Sequence, residues 1–75
     1  MNATVVKRKE LQNARVEEGL TRPQLAEILG VSSEHVKSLE YGRVNPSPQL
    51  LFRIVGVFSK PPEVLFPDIA SPVKK

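Results

Sequence analysis

The stretch Arg22–Tyr41 leaves the backbone few ways to run. Just before and inside it, Thr21-Arg22-Pro23-Gln24 has the T-x-x-Q form of a capping box, in which hydroxyl and amide side chains satisfy backbone N–H groups reciprocally. Pro23 falls in the first turn, where its missing N–H does no harm. Leu25, Ala26, Ile28 and Leu29 follow as an apolar stripe at helical spacing, and Gly30 ends the helix. Ser32 caps a second helix from about Ser33 to Tyr41, stopped by Gly42. Two helices joined this tightly must cross closely, which requires a small residue at the contact and a sharp turn between them. Ala26 supplies the first and Gly30 the second, since glycine adopts the positive φ that a side chain resists. Val31, Val36 and Leu39 form the apolar wedge that sets the crossing angle. The segment predicts a helix-turn-helix.

The flanks carry the same punctuation. Thr4 can cap a first helix over about Val5–Glu18, with Leu11 and Ala14 inward and Gly19 after its end. Val44-Asn45-Pro46 reads as a loop, because the residue before proline is pushed out of the helical region. Ser47-Pro48 is N-cap and first residue of a helix to about Phe58, and Pro61-Pro62-Glu63 opens one turn through Val64, Leu65 and Phe66. Pro67 and Pro72, with Lys74-Lys75 beyond, mark a tail expected to be poorly ordered. The expected organisation is an all-α, compact five-helix domain over residues 1–66 and a tail over 67–75. Strands are disfavoured, since apolar spacing runs in threes and fours.

Composition narrows the function. Seventy-five residues make one domain, and the absence of cysteine removes disulfides, thiolate metal sites and cysteine nucleophiles together. A single histidine, His35, leaves little for a metal cluster, and no cofactor or small-molecule ligand is implied. No apolar run approaches the roughly 18 residues of a membrane span, and Val5-Val6 is followed at once by Lys7-Arg8-Lys9 rather than by a signal-peptide core. A cytoplasmic, soluble, membrane-free protein is expected. No paired carboxylates or nucleophile–base set emerges, so an enzyme is not expected. The net charge of +3 permits a nucleic-acid partner without requiring one. Over residues 21–45, Arg22, Lys37 and Arg43 are matched by Glu27, Glu34 and Glu40, so the central segment is neutral overall.

The chain resembles the lambda-repressor-like helix-turn-helix regulators, the Cro-type or XRE family. The likeness runs from about Leu11 to Phe66. It includes Gly19-Leu20-Thr21, the run Leu25-Ala26-Glu27-Ile28-Leu29-Gly30-Val31-Ser32, then Leu39-Glu40-Tyr41-Gly42-Arg43, Asn45-Pro46-Ser47, and Val64-Leu65-Phe66. The resemblance implies sequence-specific binding of double-stranded DNA, as a regulator and most commonly a repressor, through a palindromic operator and a homodimer. The alternative is a protein-interaction module, of antitoxin or anti-repressor type, on the same fold.

With 100° per residue, Val36 and Leu39 set the buried direction of the third helix, and Glu34, Lys37, Ser38 and Tyr41 lie opposite, with Ser33 on the flank. Such a helix enters the major groove with its N-terminal residues toward base edges. The resemblance places base contacts at Ser33, Glu34 and Ser38, with Lys37 nearby. Glutamate accepts from cytosine N4 and lysine donates to guanine, so each half-site is expected to hold a G·C pair. Arg22, where relatives often carry a glutamine that also braces the third helix, and Arg43 are expected to contact phosphate. Lys7, Arg8 and Lys9 are either a solvated first turn or a nonspecific arm, and Tyr41 either touches sugar-phosphate or lies over the turn.

The resemblance also implies a partly buried ion pair between Arg15 and Glu40. At the C-terminal end the apolar residues exceed one stripe, so Val57, Val64 and Phe66 are expected to form an exposed dimer face. Two departures from relatives fall here: Ser59-Lys60 stands where Gly-Val is usual, and Gly56 sits within the fourth helix.

Overall fold

A computed structural model describes residues 7–70 of the chain. Among them are six helical segments: α1 (Lys9–Glu17), α2 (Arg22–Leu29), α3 (Ser33–Glu40), α4 (Pro48–Phe58), and the single turns α5 (Pro62–Leu65) and α6 (Pro67–Ala70). No strand occurs among the described residues.

The starts of α2, α3 and α4 follow from local chemistry. Thr21 Oγ1 accepts from Gln24 N–H at 3.2 Å while Thr21 N–H donates to Gln24 Oε1 at 2.8 Å, closing the capping box. Ser32 and Ser47 hydroxyls accept from the His35 and Leu50 amides at 3.0 and 3.1 Å. At the turn between α2 and α3, Gly30 has φ +76°, and the amides of Gly30 and Val31 donate back to Glu27 and Ala26 carbonyls. This double closure satisfies orphan carbonyls at the end of α2. A Cβ at Gly30 would meet only the tip of Arg53 at 3.7 Å, so its backbone conformation, rather than space, demands glycine.

Helices α1 to α5 enclose one core. Leu11 and Ala14 come from α1, Leu25, Ala26 and Leu29 from α2, and Val36 and Leu39 from α3. Leu50, Ile54 and Phe58 come from α4, closed by Leu65 and Phe66. Ile28 stands outside it, exposed, although it shares the apolar run of α2.

Two expectations are corrected. Thr4, Val5 and Val6 lie outside the described residues, and α1 begins later, at Lys9. Arg8 is held out of the helix (φ −92°, ψ 78°) by its amide, which donates to the Glu40 carbonyl at 2.7 Å. Phe66 is fully buried and cannot belong to an exposed dimer face. The chain leaves the helical region at Phe66 (φ −131°, ψ 63°), which places the ring in the core beside the Arg8 guanidinium, 5.1 Å from the ring centre. Beyond α5 the chain forms one further short turn, α6.

Arg8 holds α6 in place. Its side chain is buried, and its guanidinium reaches five acceptor atoms. These are both Asp68 carboxylate oxygens (2.8–3.2 Å), the Leu39 and Val44 carbonyls (2.8 and 2.7 Å) and Asn45 Oδ1 (2.8 Å). Arg8 therefore ties the entry to α1, the end of α3, the following loop and α6 at one point.

Candidate nucleic-acid interface

Helix α3 is fixed from behind and open in front. Val36 and Leu39 are buried, Ser33 and Glu34 are exposed, and Lys37 and Ser38 are half-buried on the outer side. The more extensive of its helix packings is on α2, where Ala26, 4 % exposed, allows the close approach.

Behind the open face lies a charged brace. The Glu40 carboxylate is buried, with its side chain 1 % exposed. Arg15 donates to it through Nε and, more weakly, Nη2, and its Nη1 donates to the Leu20 carbonyl at 2.8 Å. Arg22 Nε donates to the other carboxylate oxygen, Oε1, at 3.0 Å. One carboxylate on α3 is thus held by arginines from α1 and α2. Arg22 is expected from the sequence to contact phosphate; in the structure it also braces α3, by an ion pair. Its side chain remains 29 % exposed, so one edge is open to an anion.

Tyr41, at the C-cap of α3, is a centre of positive charge. Lys7 Nζ lies 5.0 Å from the ring centre, Lys37 Nζ 5.9 Å, and the guanidinium carbons of Arg43 and Arg22 lie at 5.4 and 5.7 Å. Each such contact is worth about 0.5–1 kcal/mol at exposed sites. The end of a helix, where unpaired carbonyls point outward, favours the same cations. The neutral count for the central segment is correct, but the charges separate in space. Glu40 is buried and paired, whereas Lys37 and Arg43 gather at the exposed end of α3 and are joined there by Lys7.

Arg8 takes no part in that surface. Read from sequence as one of three consecutive basic residues, it is buried and satisfied, so the possible basic arm loses its middle member. Its carboxylate partner lies sixty positions away, and no local spacing announces the pair. The Asp68 carboxyl is held below its ordinary value of 3.8, first by the hydrogen bond from Arg8 and against a smaller opposing effect of burial. At the proposed dimer face, Val64 is 39 % exposed and Val57 is half-buried against the core, while Phe66 is absent from it. Phe52 on α4, 74 % exposed, is the most exposed of the large apolar side chains among the described residues and was not singled out from sequence. Among the described residues no cluster of three or more metal-ligating side chains occurs, and no helix is long and apolar enough to cross a membrane.

Two crossed helices with a capped, glycine-closed turn, an outward polar helix face and cations at its end define a helix-turn-helix of the DNA-binding class. Comparison with known proteins gives the family. The helix-turn-helix family model of the Cro, or XRE, type matches residues 11–65, and the chain belongs to that family. An uncharacterized HTH-type transcriptional regulator of Archaeoglobus fulgidus is 37% identical over 59 residues, covering 79% of this chain and 84% of the relative.

Proposed function

We propose that this protein is a transcriptional regulator that binds a palindromic operator as a homodimer and represses by occupying it. The observation that carries the reading is the outer face of α3. Ser33 and Glu34 are exposed in its first turn, where residues reach base edges in the major groove. Ser38 lies one turn further along the same face, and Lys37 stands between the base-reading positions and the cations around Tyr41. The Arg15–Glu40–Arg22 brace supports this assignment, because a reading helix must be held rigidly for its side chains to discriminate bases. The relative named as a regulator supports the regulatory part. Arg43 contacts phosphate, and Arg22 combines bracing with a phosphate contact at its open edge.

Selection of sites from random duplex DNA, followed by footprinting, tests the reading. The expected product is a palindrome with half-sites about one turn apart, roughly 34–36 Å. Each half-site should hold a G·C pair placed for Glu34 to accept from cytosine N4. Recovery of no enriched sequence overturns the function, and half-sites of A·T alone remove Glu34 from base reading. For the dimer, Val57 and Val64 remain as the pairing residues. A chain that sediments as a monomer at high micromolar concentration, both free and on operator DNA, overturns it.

A further inference from the structure

We propose that Tyr41 is the platform of a phosphate-binding site in which Lys7, Lys37 and Arg43 together hold one phosphate group. The site deepens the DNA-binding reading above, on which its assignment to a DNA phosphate rests. Four cationic groups from separate parts of the chain converge on this one ring. They come from the segment before α1, the first turn of α2, the outer face of α3 and the loop after it. Arg22 has its counter-ion in Glu40. Lys7, Lys37 and Arg43 have no carboxylate within ion-pair distance among the described residues, although Glu34 lies three positions before Lys37 on α3. Like charges gathered around one ring repel one another, and an aromatic face attracts each cation without cancelling any charge. The arrangement is completed by an anion.

A phosphate group is the anion that fits. Lysines and an arginine donate to phosphate oxygens by charge-assisted hydrogen bonds, and the cluster borders the helix face that meets DNA. Tyr41 acts here as a positioning residue: its ring gathers the donors before the anion arrives, so less side-chain freedom is lost on binding. Lys37 is thereby assigned to the backbone rather than to guanine. Lys7, read from sequence only as a possible arm, becomes a defined contributor.

Two arms separate the possible sources of the phosphate. In the first, the protein alone is titrated with inorganic phosphate at low salt while Tyr41 ring resonances are followed by NMR. Saturable shifts in the native chain, lost in Lys37→Gln, are expected; no shift overturns the site independently of whether the chain binds any operator. In the second, binding to the selected duplex is measured across salt for the native chain, Lys37→Gln, Tyr41→Leu and Tyr41→Phe. Lys37→Gln is expected to weaken all sequences equally and to reduce the slope of log K against log salt by about 0.9. Tyr41→Leu should reduce affinity and slope with every cation still present, and Tyr41→Phe, which keeps the ring, should restore both. A change in base preference on Lys37→Gln, with the slope unaltered, returns Lys37 to base reading and overturns the site on DNA. A native first arm with unaltered DNA binding in every variant shows that the site takes free phosphate and overturns its assignment to DNA.

Discussion

At the scale of single residues, Glu40 joins three helices through its carboxylate. Its carboxylate is buried between two arginines from different helices, so its removal leaves Arg15 unpaired in the interior and frees Arg22. Breaking a buried pair in this way costs about 3–5 kcal/mol. Glu40→Ala is therefore expected to lower the melting temperature sharply, and thermal unfolding followed by circular dichroism checks it; an unchanged melting temperature refutes the structural role. Arg22→Gln, by contrast, leaves Glu40 paired with Arg15 and should cost less, because Arg22 is partly exposed. The Arg15–Glu40 pair could be anticipated from the resemblance to the family, since both residues fall at matching positions. Arg22's share in it could not, because an arginine in a first helical turn reads equally well as a phosphate contact. Arg8 was less legible still. A basic residue flanked by two lysines looks solvated, and only the folded chain brings Asp68, Asn45 and two carbonyls around it.

At the scale of the elements, the ends of helices were the most readable feature, because a cap involves residues three or four apart. Thr21, Ser32 and Ser47 each cap where the sequence places them. The direction of Phe66 was not readable in this way, since a single turn such as α5 has too few residues for periodicity to define a buried side. Helix α4 contains two local conflicts that propensity exposes. Gly56 lies inside the helix, and a Cβ there would meet nothing within 4 Å. Gly56→Ala is accordingly expected to stabilise the domain by about 1 kcal/mol. Ser59 ends the same helix with φ +55°, a left-handed conformation that costs a residue with a side chain roughly 1–2 kcal/mol. Ser59→Gly relieves that strain but loosens the unfolded chain, so a net gain of about 0.5–1 kcal/mol is expected. For a chain of this size each change should raise the melting temperature by several degrees, on the order of 4–8 °C per kcal/mol. A fall on Gly56→Ala would mean that something in the folded protein approaches this face of α4 more closely than a methyl group permits.

At the scale of the whole molecule, the two ends of the described chain meet through Arg8 and Asp68. A cut after Phe66, where Pro67 and Pro72 in the sequence suggest a tail, removes a carboxylate that takes three of the guanidinium's hydrogen bonds. Arg8 would keep Asn45 and the two carbonyls, and Asp68 is partly exposed, so the loss falls short of a fully buried pair. About 1–2 kcal/mol is expected for Asp68→Asn and at least as much for the truncation. The same contact has a defined pH signature. Asp68 is held below 3.8 in the folded state, so its contribution is complete above that value and is lost as pH falls through the lowered one. Denaturant unfolding of the native chain and Asp68→Asn should therefore differ at neutral pH and converge on acidification below about pH 4. Curves that stay equally separated at low pH would show that the substitution acts through packing of α6 and not through the charge on Asp68. Because Arg8 also holds the Val44 carbonyl and Asn45, in the loop that follows α3, loosening the clamp should weaken DNA binding beyond what the loss of stability accounts for. Titrating duplex DNA with Asp68→Asn at a temperature where the variant is fully folded measures that excess directly.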